Sequence, residues 1–197
     1  MDIFEAVRTR RSTRVFEKKE IESEKLDAII EAGRFAPSGG NSQTTHFIVI
    51  RSEKILAELA EIVAREFAEM NVEEGMYRSL VASITASKKG HYVFHYNAPV
   101  LIVTANKANY GNNIADCACA LENMMLAANA LDLGSCWINQ LKWLNRNGRV
   151  VAYLQTLGLE EDEIVCGGLS VGYPKSKDGL PCREPLKRTG NPVTVVD

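Results

Sequence analysis

Among the five cysteines, Cys117, Cys119, Cys136, Cys166 and Cys182, there is no CxxC pair, and the count is odd. That excludes the usual disulfide framework and leaves small apolar core residues as the ordinary reading. Cys117 and Cys119 sit two positions apart, about 200° around a helix, so they cannot chelate one ion together. Histidine is scarcer still, with three. His91 and His95 in HYVFH have helical i, i+4 spacing, but no carboxylate stands in the HExxH position and no metal site is expected. There is no GxxxxGKS and no GxGxxG after a strand, which removes a P-loop and a Rossmann dinucleotide site. No apolar run approaches the length of a bilayer span, and nothing near Met1 resembles a signal peptide. A cytoplasmic protein with no membrane partner is expected. Excess positive charge is lacking too: 23 Lys and Arg against 25 Asp and Glu give a net charge of −2, which argues against a protein that coats nucleic acid.

What is present is an ordinary globular composition, 46% hydrophobic and 24% charged over 197 residues. Such a chain buries roughly 70% of its unfolded surface. One domain, 1–197, is the expectation, and a subunit that completes its core by dimerising also fits this size. Asp2 is placed to cap a short helix with Ile3, Phe4 and Val7 facing inward. A second helix opens at Ser23 and stops near Gly33. HFIVI, 46–50, reads as a strand, and Ser52 caps a long helix striped with Ile55, Leu56, Leu59, Ile62, Val63 and Phe67. A more polar helix is expected over about 76–87, and PVLIVTA, 99–105, is a buried strand by its β-branched content. Ile114–Leu131 has apolar residues at helical spacing and is rich in alanine, a central helix with Gly134 as its stop. SCWI, IVCGGLSVGYP and the tail VTVV supply further strands, with a helix near Val150–Leu157. Strands and helices mix without a strict βαβ rhythm, which predicts an α+β fold.

Three stretches bear on chemistry. RTRRSTR, Arg8 to Arg14, packs four arginines and three hydroxyl residues into seven positions. Guanidinium forks meet phosphate oxygens in pairs, so the stretch is an anionic cradle or else a solvated charged face. A second basic patch, CREPLKR from Cys182 to Arg188, favours the cradle if folding brings the two together. PSGGNSQ, 37–43, offers close backbone approach at two glycines and polar groups at Ser38, Asn41 and Gln43. A plain surface turn is the alternative.

Arg10-Arg11-Ser12-x-Arg14-x-Phe16, then PSGGNSQ, an alanine-rich helix running into GSCWI, and GYP followed by Pro-x-Arg resemble, in that order, the nitroreductase family of FMN enzymes. The resemblance covers nearly the whole chain. It implies a nitroreductase-like α+β fold, a central, mainly antiparallel sheet flanked by helices, in an intertwined homodimer with FMN at the interface. It also implies that Arg10, Ser12 and Arg183 hold the FMN phosphate. Arg14 would lie by the pyrimidine edge, where reduction leaves negative charge near N1 and O2. Arg11 is counted with this set; like Arg8, it is otherwise a surface charge or part of a positive field for a phosphorylated nicotinamide. Pro37, Ser38, Gly39, Asn41 and Gln43 would come from the second subunit. Trp137, Ile138, Asn139 and Gln140 would run along the flavin, a backbone N–H addressing N5, although Trp137 equally suits the core. Gln140 stands where a glycine is common, and Thr44 and Thr45 replace a frequent Pro-Trp, so access above the flavin is expected to differ.

The implied reaction is ping-pong: NADH or NADPH delivers hydride, leaves, and an oxidised small molecule such as a nitroaromatic or quinone takes its place. No side-chain nucleophile or carboxylic acid is required, and the tail VTVV is expected to extend across the partner. The alternatives are other chemistry on the same fold and FMN, dehalogenation or flavin fragmentation, and a non-enzymatic binder of a phosphorylated ligand.

Overall fold

The computed structural model describes residues 1–197. Asp2 caps α1 (Ile3–Thr9), its Oδ1 accepting the Glu5 N–H at 2.8 Å. There follow α2 (Ser23–Arg34), a single 3-10 turn (Gly39–Asn41), β1 (His46–Ile50) and α3 (Glu53–Glu69), whose N-cap is Ser52. Then come α4 (Arg78–Lys88), β2 (Val100–Lys107), α5 (Asn113–Ala130), β3 (Gly134–Ile138), α6 (Gln140–Trp143), α7 (Gly148–Thr156) and β4 (Glu163–Gly172).

The strands form one sheet in the order β1-β2-β4-β3, every neighbouring pair antiparallel. Side chains alternate across it with period two. Leu101, Val103 and Ala105 of β2 enter a core shared with Leu59, Val63 and Phe67 of α3, Ile84 of α4 and Leu154 of α7. Val100 and Ile102 enter the opposite core with Leu26 and Ile29 of α2 and Leu121, Met124 and Ala128 of α5. Both faces of the sheet are therefore covered, which is why β2 reads as an unbroken apolar run. Each of these fully buried aliphatic side chains contributes about 1.5–3 kcal/mol. Leu121→Ala would cost about 2–5 kcal/mol through the cavity it leaves.

The structure corrects four expectations. Ile3, Phe4 and Val7 of α1 are 60%, 76% and 52% exposed, and only Ala6 of that helix is buried. An apolar stripe on seven residues says that a cover is needed, not which chain supplies it. VTVV forms no strand; no strand follows β4, and Val193, Val195 and Val196 are exposed. The stop of α5 is not Gly134 but the turn at Asp132, whose φ of +63° breaks the helix, and Gly134 opens β3. His91 and His95 do not share a helix face, because the segment around them is turns with positive φ at His91, Tyr96 and Asn97.

Candidate functional site

The arginine-rich arm lies against the outer edge of the sheet. Ser12 bridges Ser135 of β3, the Thr13 N–H donates to the Ser135 carbonyl at 2.8 Å, and Phe16 bridges Pro174. Only glycine permits this approach: a Cβ on Gly134 would meet the Thr13 side chain at 2.6–2.7 Å. The arm also meets the far end of the chain, where Arg11 Nη1 donates to the Glu184 carbonyl at 2.8 Å. Arg183 Nη2 donates to the Asn129 carbonyl and to Asp132 Oδ1, each at 2.6 Å. Asn129 Nδ2 in turn donates to the Ala6 carbonyl and to Thr9 Oγ1. Both basic patches thus converge on the last turn of α5.

The donors there are incompletely used. Arg183 Nε is buried without a partner. Arg10 has only a loose contact, 3.9 Å, with the half-exposed Glu122. What faces the Arg14 guanidinium is the Tyr96 ring, 5.9 Å from its centroid, and the Cys136 thiol. Burial works to lower the Arg14 pKa, yet Cys136 and Tyr96 leave it raised, so its charge is secure. Burial pushes the Cys136 thiol up, Arg14, Ser12 and Arg10 partly offsetting this, so the thiol is not an activated nucleophile. Guanidinium and hydroxyl donors with a buried, unpaired N–H fit a phosphate monoester.

Farther along β3 the strand turns into α6. Ile138 belongs to the α3 side of the sheet, while Trp137 packs on the α2/α5 side, its indole N–H donating to Asn139 Oδ1 at 3.0 Å. The Asn139 N–H donates to Gln140 Oε1 at 3.1 Å, and Gln140 Nε2 lies 3.0 Å from the Tyr92 hydroxyl and 3.4 Å from Ser83 Oγ. Gln140 is therefore turned into the fold, 7% exposed.

The Pro37–Gln43 loop is held from its own chain. Asp116 of α5 accepts the Gly39 N–H with both carboxylate oxygens, at 3.1 and 3.2 Å. The single Tyr110 hydroxyl proton is within reach of Asp116 Oδ2, 2.9 Å, and the Gly39 carbonyl, 3.0 Å. Ser42 Oγ donates to Tyr110, and Ser38 Oγ accepts the Gln43 N–H. A Cβ on Gly39 would meet Asn112 Nδ2 at 2.1 Å. Gly40, Asn41 and Gln43 all have positive φ, +59°, +54° and +51°, a strained path for the last of these. Pro37, Ser38, Asn41 and Gln43 line a cavity of about 470 Å³ with Asp116 and Phe47.

One chain does not bring this loop to Arg183, and Arg10, in contact with Glu122, stands between the two. Asp116 and Asn129 lie thirteen residues apart on α5, roughly 20 Å along the helix axis. A larger cavity, about 670 Å³, opens between α3, residues 18–21 and residues 91–100, and contains none of the residues expected from the sequence. Its charged rim is balanced, Lys18, Lys19 and Arg51 against Glu20, Glu53 and Glu61, so no charge sign selects a ligand there.

Sequence reasoning passed over Tyr96, the Gln140–Tyr92–Ser83 cluster and the Tyr110–Asp116 clamp. Each depends on contacts between residues far apart in the chain, for which no local pattern exists.

Comparison with known proteins supplies the context. Residues 7–173 match the model of the nitroreductase family. A protein of Archaeoglobus fulgidus named as an NADH dehydrogenase/NAD(P)H nitroreductase is 32% identical over 169 residues, 86% of this chain and 83% of that protein. The iodotyrosine deiodinase of Hydra vulgaris is 30% identical over 112 residues, 56% of this chain and 40% of that protein. Among solved structures, a nitroreductase with bound FMN from Bacteroides fragilis is 34% identical, with a TM-score of 0.86 over 100% of both chains.

Proposed function

The chain belongs to the nitroreductase family of oxidoreductases, and from that premise we propose that two copies of it hold FMN where they meet and pass hydride from NADH or NADPH to an oxidised acceptor such as a nitroaromatic or quinone. The observation that carries the two-copy arrangement is the separation of the Pro37–Gln43 loop from Arg183 along α5. A loop stiffened within one chain, but remote from that chain's own Arg183, is suited to serve its neighbour's. The exposed apolar side chains of α1, Phe35, Ile114 and the terminal valines supply surface for such a pairing.

When bound, FMN supplies the two-electron chemistry. Arg10, Ser12 and Arg183 hold the phosphate, with the buried Arg183 Nε as a ready donor. Arg14, charged and faced by no carboxylate, stabilises negative charge at the pyrimidine edge. Ile138, Asn139 and Gln140 orient the ring, and the clamped loop excludes water from the other side. Arg11 ties the arm to the C-terminal segment, and Trp137 braces the turn through Asn139.

The test is to purify the protein, supply FMN and follow its absorbance under anaerobic conditions. Bound flavin that bleaches with NADH or NADPH and recovers with a nitro compound or quinone is expected. A protein that takes up no FMN overturns the reading. Because the first cation meets developing charge and the second a permanent one, Arg14→Ala should slow reduction more than it weakens FMN binding, and Arg183→Ala should do the reverse. Equal effects on both quantities would contradict that division. The deiodinase similarity favours one second reading, reductive dehalogenation of a halophenol, and release of halide from such a substrate by the reduced protein would select it.

A further inference from the structure

We propose that Gln140 is a positioning residue that bridges the Asn139 amide to Tyr92 and Ser83, and so fixes the turn between β3 and α6 for hydride transfer and makes α4 part of that site's framework. This rests on the FMN reading above, in which the turn orients the flavin.

The hydrogen bonds run in one direction without conflict. The Asn139 N–H donates to Gln140 Oε1, and Gln140 Nε2 donates to the Tyr92 oxygen. The Tyr92 proton goes to Ser83 Oγ at 2.8 Å, and Ser83 donates to the Ser79 carbonyl at 3.1 Å. Each donor from the turn to the backbone of α4 has one acceptor, and aligned chains of this kind strengthen one another. Ser83 is 3% exposed, and Gln140 is 7% exposed. Tyr92, its pKa raised by burial, keeps the proton that the chain requires.

The other supports of the turn on this side are apolar: Leu141 is buried in the α3-side core, and Trp143 packs edge-on against Phe67 and Tyr77. The Asn139 side chain, the natural cap for α6, faces back to Trp137 and makes no capping bond. A glycine or alanine at 140 takes away the acceptor of the Asn139 N–H and the donor to the Tyr92 oxygen, while the Tyr92–Ser83 and Ser83–Ser79 bonds remain. The tie does not touch Arg10, Ser12 or Arg183, so it separates orientation of the ring from retention of the phosphate.

The experiment compares wild type, Gln140→Ala, Tyr92→Phe and the double variant. Amide exchange at Asn139 is read in FMN-free protein, and FMN affinity and the rate of flavin reduction by NADH or NADPH in loaded protein. In Gln140→Ala, Asn139 exchange should rise about tenfold, the order expected from one lost hydrogen bond. Reduction should slow at least about tenfold, as misoriented reactants do, while FMN affinity stays within about threefold because the phosphate anchors are intact. Tyr92→Phe should move the same readouts less, and the double variant should be no worse than Gln140→Ala. Unchanged Asn139 exchange, equal losses in affinity and reduction, or additive effects in the double variant would overturn the proposal. A wild type that takes up no FMN sinks the function reading, and the exchange arm still decides whether the tie exists.

Discussion

The Pro37–Gln43 loop and the terminal residues 191–197 are both proposed to meet a second subunit, yet they are built in opposite ways. Asp116 and Tyr110 hold the loop with hydrogen bonds from its own chain, against the strain of the positive φ at Gln43. The final residues have no strand partner, and Val193, Val195 and Val196 are 87%, 76% and 89% exposed. The loop is shaped before a partner arrives, so it offers geometry at little entropic cost on association. The valines offer apolar area that only association can bury.

Removing residues 191–197 should separate the two regions most sharply. Fully burying three valines contributes about 4.5–9 kcal/mol at the per-residue values for such side chains, so dimer affinity should fall by about 10³–10⁶-fold. Sedimentation at decreasing concentration reads this, while unfolding of the dissociated chain should be unchanged. A truncated protein that still associates as tightly as the intact one would show that the valines are not interface residues. Asp116→Ala acts on the loop instead: it strands the Gly39 N–H beside a 6% exposed site and leaves the Tyr110 hydroxyl only the Gly39 carbonyl as acceptor. Losing bonds to a charged group costs about 2–3 kcal/mol, measurable by urea denaturation. Tyr110→Phe should cost about 1 kcal/mol and raise proteolytic cleavage within 37–43, leaving association less affected than truncation does.

The smallest effect is a control that belongs to neither region. Burial lowers the His95 pKa, so the folded state favours its neutral ring. The unfolded chain binds the proton more readily, so this part of the stability is complete above about pH 6.5 and is lost as pH falls from there towards the folded value. Intact and truncated protein should lose it alike, and His95→Gln should flatten that part of the profile. A pH dependence that disappears on truncation would instead place the titrating group in the tail.

Much of this architecture is legible from spacing alone. α3 and α5 follow from the 3.6-residue period and β1, β2, β3 and β4 from short apolar runs, because each buries its apolar side chains within the chain. The α1 stripe and VTVV carry the same signals with nothing in the chain to bury against, so their identity as apolar segments was readable and their disposition was not. The arginine arm and PSGGNSQ announce themselves by composition. The supports behind them do not: Gly39 finds Asp116 across 77 positions, and Gln140 finds Tyr92 and Ser83 across 48 and 57. A lone Gln, Tyr or Ser has no local pattern that marks a partner so distant.

The contact between Arg11 and Glu184 spans 173 positions, which sets an order of events during biosynthesis. Arg11 is synthesised long before Glu184, so a nascent chain has the positive charge before it has the segment to which the arm is tied. A product cut short after β4 lacks Arg183 and Glu184 and is expected to hold FMN less tightly than the intact chain, however well its sheet has folded.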